Sequence, residues 1–311
     1  MILVSGEALV DLVVGPEGSI VAHTGGAAFN VCRTIARLER PAAFFGALSD
    51  DRFGAVLRRA LESEGVDLSR ALSVHQPSTL ALADVNESGA ATYRFYTEGT
   101  STPAVPGAAS SAALALAPSA LYVGTLGLVL EPLATAVKAL VDGVADDVLV
   151  MLDPNCRPSA TPDRAKYLAT VAHCAHRADV IKVSEEDLEF LDPGSDAVTA
   201  ARSLMRPQAV ALLTRGAAGV TILTPDRAIE IAAPHVTVVD TVGAGDGLVG
   251  AFLAFWDMHG LGPRDVQDLD RVVDAVSFGV QVAALICERP GADPPRLVEI
   301  EARVALGSKG S

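Results

Sequence analysis

Among the residues of this chain that could do chemistry, Asp240-Thr241-Val242-Gly243-Ala244-Gly245-Asp246 has the most demanding spacing. An apolar, β-branched run at 235–239 precedes it and reads as a strand; an apolar helical pattern at 248–256 follows. Small residues at Gly243, Ala244 and Gly245 let backbone N–H groups converge where a helix begins, and the positive end of that helix favours an anion. Asp246 then sets a carboxylate on the rim of an anion site, where it would repel a resident phosphate. A general base resolves the conflict: it takes the proton of a hydroxyl attacking a phosphoryl group that the amides hold. An acid in the first helical turn can also serve the dipole alone, but that reading leaves the small-residue approach unexplained.

Three other patterns compete. Gly245-Asp246-Gly247-Leu248-Val249-Gly250 fits the G-x-G-x-x-G of dinucleotide binding. That fingerprint needs a βαβ unit with an acid ending the next strand about 20 residues on. Here 263–285 reads as a turn and another helix, so a nicotinamide-dependent dehydrogenase is rejected. His173 and His176 stand at i and i+3 with no third ligand cluster, and read as solvated or capping residues. The scattered cysteines Cys32, Cys156, Cys174 and Cys287 suit small buried apolar residues in a reducing cytoplasmic protein.

The elements that must position these residues alternate. Apolar runs at 2–4, 42–45, 120–123, 148–152, 180–183 and 209–213 read as strands, and 53–64, 132–142, 162–175 and 197–205 as helices. Continuous apolar strands alternating with helices predict an α/β fold, a parallel-rich sheet with helices on both faces. Two hairpins interrupt the rhythm: 12–14 and 19–22 around Gly15-Pro16-Glu17-Gly18, and 79–85 and 91–97 around Asn86-Glu87-Ser88-Gly89. Antiparallel hairpins fit poorly in a parallel sheet, which predicts a small lid made from 12–23 and 79–98. The whole of 1–311 reads as one domain, with 307–311 a flexible tail.

Composition sets limits. The 311 residues carry a formal charge of −14, a pI near 4.8 and a mean hydropathy of +0.35. A strongly acidic chain lacks the basic surface that nucleic acid needs. No stretch supplies the roughly 20 apolar residues of a membrane span. Glu7 and Asp11 interrupt the first apolar run and argue against a signal peptide, so a cytoplasmic location is expected.

The run at 240–246 resembles the second signature of the ribokinase-like (PfkB) family of carbohydrate kinases, close to Asp-Thr-x-Gly-Ala-Gly-Asp. Gly25-Gly26-Ala27-Ala28-Phe29-Asn30-Val31, followed by 45–54, is similar to the first signature. Asp153-Pro154-Asn155-Cys156-Arg157-Pro158 and Lys182-Val183-Ser184-Glu185-Glu186-Asp187 match family landmarks in the right order. The resemblance implies a three-layer ribokinase-like fold with a β-hairpin lid, ATP and Mg²⁺ as cofactors, and a small-molecule sugar as partner.

It also implies roles. Asp246 becomes the base, with Gly243, Ala244 and Gly245 as the anion cradle. Asp11 and Asn30 become sugar ligands beside Gly25 and Gly26. On the residues alone, Asp11 is either a sugar acceptor or a strand-end residue facing water, and Asn30 either a ligand or a helix cap. Arg157, at the C-terminal end of a strand, faces acceptor or phosphate, with a surface ion pair as the alternative. Lys182, Ser184, Thr214, Gly216 and Gly219 fall on the nucleotide side. Asp187 corresponds to an acid that orders Mg²⁺-bound water, and Asp240, Val242 and Gly291 to a K⁺ loop. Two departures stand out: Ser184 and Asp187 replace an Asn-x-x-Glu pattern, and Val280 stands where relatives often carry Asn near the adenine.

Gly6-Glu7-Ala8-Leu9-Val10-Asp11 points to the fructokinase branch, hence fructose to fructose 6-phosphate. Arg157 and Tyr93-Arg94-Phe95-Tyr96 keep 2-keto-3-deoxygluconate open, and ribose stands behind both. A non-catalytic sugar- or nucleotide-binding regulator is the alternative of another class. A homodimer through the lid is the expected assembly if there is one.

Overall fold

Alternate residues of each central strand enter two different cores, and this is why the strands read as unbroken apolar runs. The computed structural model describes residues 1–15, 18–85 and 91–307. The strands are β1 (Ile2–Ser5), β2 (Leu9–Val14), β3 (Ile20–Gly25), β4 (Ala42–Phe45), β5 (Ala47–Ser49), β6 (Leu72–Val74) and β7 (Leu80–Val85). They continue with β8 (Ala91–Tyr96), β9 (Ala120–Gly124), β10 (Leu149–Asp153), β11 (Val180–Ser184), β12 (Val210–Thr214), β13 (Val220–Leu223) and β14 (Ala228–Ile231). The helices are α1 (Ala27–Arg37), α2 (Arg52–Ser63), α3 (Ala109–Leu114), α4 (Leu133–Gly143) and α5 (Arg164–Ala175). After them come α6 (Glu185–Leu191), α7 (Ala197–Ser203), α8 (Ala244–Met258), α9 (Leu269–Cys287) and α10 (Leu297–Gly307).

Eight strands form the main sheet in the order β14-β13-β12-β11-β10-β9-β1-β4, parallel from β4 through β12. Ile2, Val4, Tyr122 and Met151 face a core shared with α1, α8 and α9. Leu3, Leu121, Val150 and Ile181 face the opposite core, shared with α4, α5 and α7. The three-layer α/β expectation therefore holds. Two features depart from the sequence reading. Strands β13 and β14 extend the sheet antiparallel, after a turn at Gly216–Ala218 that reverses the chain. The run at 235–239 forms no strand: Val238 and Val239 are exposed, and the Val239 and Asp240 N–H groups donate to the Cys287 carbonyl at the end of α9. β-branched residues favour extended backbone there, but the bonds go to a helix terminus instead of a sheet edge.

Both hairpins form and join each other in a separate sheet, order β3-β2-β7-β8, through parallel pairing of β2 with β7. Pro16 and Glu17 of the first turn, and Asn86, Glu87, Ser88 and Gly89 of the second, lie outside the described residues, as do 308–311 of the expected tail. No helix of the described residues is long and apolar enough to cross a membrane.

The helix starts sort themselves by neighbourhood. Asp51, Asp163, Ser184, Asp196 and Asp268 cap α2, α5, α6, α7 and α9 with side-chain oxygens. By contrast α1 and α8 start at Gly26 and Gly243, without a side-chain cap. Helix α8 is instead secured by its apolar body, where buried Phe252 and Trp256 stack at 5.1 Å. Truncating either ring would cost about 3–5 kcal/mol, against about 1 kcal/mol for a typical cap. Packing fixes α8 firmly enough to leave its start without a side-chain cap.

Candidate active site

The C-terminal ends of β1, β9, β10, β11 and β12 line one side of the main sheet. β1 pairs with β4 on one side and β9 on the other, so the chain reverses its direction of sheet growth there. Such a switch point opens a crevice at the strand ends, the usual ligand position in open α/β sheets. The two glycine-started helices meet over it. Asn30 on α1 donates from Nδ2 to Oδ2 of Asp246 on α8 at 2.8 Å, and both side chains are buried. Oδ1 of Asn30 is buried with no protein partner, leaving an acceptor beside the acid. Gly243 adopts φ 79, and a Cβ there would sit 2.5 Å from that of Ala292. Only glycine turns the chain at that point and lets the loop at 289–294 close against it.

Beneath this contact lies a group of buried charges. Lys182 is 5% exposed and donates to Oδ1 of the fully buried Asp153 at 3.2 Å. Its Nζ stands 3.4 Å from where a Cβ on Gly245 would be, directly under the glycine turn. Burial opposes its charge, but Asp153, Asp187 and Asp246 together outweigh burial and hold Lys182 above its ordinary value. Lys182, which the resemblance puts on the nucleotide side, is thus an internal cation and not a solvated one. Tyr122 from β9 is also buried here, and burial together with Asp153, Asp246 and Glu7 pushes its phenol up.

On the opposite wall, the four-stranded sheet presents Asp11 directly across from His23, with Ala81 and Phe95 next in the same row. The Asp11 carboxylate leans over Gly25 so closely that a Cβ there would collide with Oδ2. Burial and then the charge of Asp246 raise the Asp11 pKa to about 6, with His23 and Arg157 pulling it down. Arg157 anchors itself through Nη1 to the Asn155 and Cys156 carbonyls, at 3.2 and 3.0 Å. Its charge acts on Asp11, Glu7 and Tyr93 alike. Asp11, Gly25, Gly26, Asn30 and Arg157 thus converge with Asp246.

The remaining residues fall into two sets. Thr214 and Ser184 lie side by side at the ends of β12 and β11, with Gly216 and Gly219 in the turn that follows. Ser184 and Asp187, however, close a capping box on α6, and both Asp187 oxygens accept backbone N–H groups, from Cys156 at 2.6 Å and Ser184 at 2.8 Å. The degenerate motif thus serves the start of α6. Asp240, Val242 and Gly291 do come together, since Asp240 accepts from Val242 N at 3.0 Å and Gly291 N at 2.8 Å. His173 pairs with Asp142, and no group of three potential metal ligands exists among the described residues. Gly247 and Gly250 of the rejected dinucleotide pattern lie inside α8, packed against Ile286 and Thr34. His23 and Tyr122 were not singled out in the sequence, and Glu7 and Asp153 were quoted within motifs without a role of their own. The acids within apolar runs were the available signal.

The family profile described as pfkB family carbohydrate kinase matches residues 1–298. A fructokinase of Rhizobium leguminosarum bv. trifolii is 35% identical over 277 residues, 87% of this chain and 84% of that protein. Fructokinase from Vibrio cholerae O395, in its fructose, ADP and calcium ion bound form, superposes with a TM-score of 0.83 at 25% identity over 97% of both chains. Aminoimidazole riboside kinase from Salmonella enterica, complexed with aminoimidazole riboside and an ATP analog, gives a TM-score of 0.81 at 25% identity, covering 97% of this chain and 98% of that one. An acid hydrogen-bonded across two glycine-started helices, a profile match over nearly the full length and a relative above 30% identity converge, and the chain belongs to the pfkB family of carbohydrate kinases.

Proposed function

We propose that the protein is a fructokinase, transferring the γ-phosphoryl group of ATP to the 6-hydroxymethyl group of fructose. The observation that carries this reading is the Asn30–Asp246 hydrogen bond, which ties the acid to both helix starts. Asp246 takes the proton of the attacking hydroxyl. Amides of the turn from Gly243 to Asp246, apart from that of Ala244, which donates to the Thr241 carbonyl, would hold the transferring group, with Lys182 adding positive field from beneath. Asp11 and the free Oδ1 of Asn30 accept sugar hydroxyls, and Gly25 and Gly26 admit the ring. Thr214, Gly216 and Gly219 flank the nucleotide, with Lys182 and Ser184 on the same side. The four-stranded sheet acts as a lid over the sugar, excluding water that would otherwise hydrolyse ATP.

Mg²⁺ fits this site as part of the nucleotide complex. The described residues offer no cluster of protein ligands, and Mg²⁺ characteristically keeps its waters and binds through phosphates. Its chemistry would be neutralisation of phosphate charge. A K⁺ ion fits the Asp240–Val242–Gly291 junction, where a carboxylate already gathers two backbone turns; its field would support the cradle from behind. The protein works in the cytoplasm, and a homodimer would form through the face of the lid opposite Asp11, which exposes Ile20 and Tyr96.

A coupled ADP-release assay over fructose, ribose, 2-keto-3-deoxygluconate and a riboside tests the reading. Fructose is expected to give the highest kcat/KM. A riboside exceeding it would move the assignment toward the second solved neighbour, and binding without ADP release would identify a regulator.

A further inference from the structure

Glu7 has no part in the chemistry described so far, yet it is a buried acid hydrogen-bonded to an active-site helix. It lies between β1 and β2, 1% exposed. Its Oε1 accepts the Ala27 N–H at 2.8 Å and its backbone carbonyl accepts the Phe29 N–H at 3.2 Å. Those are two of the orphan donors of the first turn of α1. The same turn has no cap from Gly26 and no acidic residue of its own. Gly26, at φ 104, has room for no side chain: a Cβ would sit 2.7 Å from the Glu7 carbonyl oxygen. Glu7 therefore replaces the missing cap from a distance, and binds the loop after β1 to the helix start.

One turn further along the same helix stands Asn30, whose Nδ2 orients Asp246. Resting on the kinase reading above, we infer that Glu7 is a positioning residue for phosphoryl transfer: it fixes the first turn of α1, and through Asn30 it holds Asp246 in line with the attacking hydroxyl. Glu7 acts as a neutral acid. Its second oxygen, Oε2, is buried with no protein partner. Burial foremost, opposed by the Ala27 N–H and its own backbone and with Asp246 adding, raises its pKa to about 8, and Arg157 pulls weakly the other way. The groups facing it are Asp246 from α8, Arg157 after β10 and Tyr122 from β9. A second negative charge beside Asp246 and an incoming phosphoryl group would oppose the transfer, so the protonated form is the working one.

The test is a double-mutant cycle of Glu7→Ala with Asn30→Ala, read as kcat, alongside the pH profile of Glu7→Gln. Every assay uses whichever sugar gives the highest wild-type turnover, so an error in the fructose assignment leaves the cycle readable. Glu7→Ala is expected to lower kcat about tenfold or more with the KM for ATP nearly unchanged. In the Asn30→Ala background the same change should cost about twofold or less, because the pathway through Asn30 is already cut. Glu7→Gln keeps an oxygen for the Ala27 N–H and should hold kcat within about threefold at pH 7, while losing the fall in kcat/KM expected of the wild type above about pH 8. Additive losses in the cycle, or an unchanged kcat in Glu7→Ala, would overturn the inference. Should Glu7→Ala fail to fold, an alkaline limb surviving intact in Glu7→Gln would overturn it independently.

Discussion

Protonation of Asp11 should switch sugar binding without touching the nucleotide. Burial and the charge of Asp246 move its pKa from an ordinary 3.8 to about 6, with His23 and Arg157 restraining the shift. About two pH units correspond to roughly 3 kcal/mol, less what partial solvent contact screens. The sign follows from the direction. A folded-state pKa above the unfolded one stabilises the protein fully below about pH 3.8, and that stability is lost as pH rises through about 6. At pH 7 the ionised carboxylate is therefore a burden on the empty protein, justified only when sugar hydroxyls donate to it. Asp11→Asn should raise Tm at pH 7 and leave it nearly unchanged at pH 4. The same variant should lower kcat/KM for fructose by about 10- to 100-fold, the worth of a hydrogen bond to a charged group. Wild-type kcat/KM for the sugar should fall about tenfold per unit below pH 6, and the variant should be flat there. Steady-state kinetics at saturating ATP from pH 5 to 8, with calorimetric melting at pH 4 and 7, measure all three. A variant with wild-type sugar kinetics, or one destabilised at pH 7, would refute the placement of Asp11 as a buried acceptor.

Asp246→Asn should leave Tm and ATP affinity close to wild type while kcat falls by about 10²–10⁴; near-normal turnover would remove Asp246 as the base. Gly243→Val forces a β-branched residue to φ 79 against Ala292, so kcat should drop steeply and Tm should fall with it, both read in one expression series. Lys182→Met leaves Asp153 buried and unpaired and should destabilise by about 3–5 kcal/mol in urea unfolding. The pair change Lys182→Met with Asp153→Leu should recover most of that stability but not the turnover. Recovery of both would show that the cation is only structural.

The central sheet was legible because its pattern is local. Ile2, Leu3 and Val4 are apolar in succession since both faces of β1 are covered, and any strand so placed announces itself. The strand pairs β2–β3 and β7–β8 were legible from the turn residues between them, a pattern that is equally local. Strands β13 and β14 were not: β13 is buried throughout but only four residues long, β14 alternates exposed and half-buried at the sheet edge, and a turn of small residues hides their direction. The run at 235–239 misled for the converse reason. Its β-branched residues specify extended backbone, but where that backbone finds its hydrogen bonds depends on the Cys287 carbonyl, 48 residues later in the chain. Asp187 accepts one amide, Ser184, at the local spacing of a capping box, and a second, Cys156, from 31 residues away that no spacing rule contains.

The site divides along the same line. Asp246 and its glycine turn could be found in seven consecutive residues, because a backbone anion cradle is built from adjacent amides. The groups that tune it could not. Asn30 and Asp246 are 216 positions apart, and Lys182 and Asp153 are 29 apart on neighbouring strands. Glu7 in particular looks like an interruption of an apolar run until α1 is laid against it. Buried acids of this kind are expensive unless a partner is supplied. Here the partners are helix amides, a lysine and, on the kinase reading, the hydroxyls and phosphates of the reactants. An acid in an apolar segment is thus a more general pointer to such a site than the signature itself. In this chain Glu7, Asp11 and Asp153 all lie in or beside buried runs, and all three sit close enough to shape the field at Asp246.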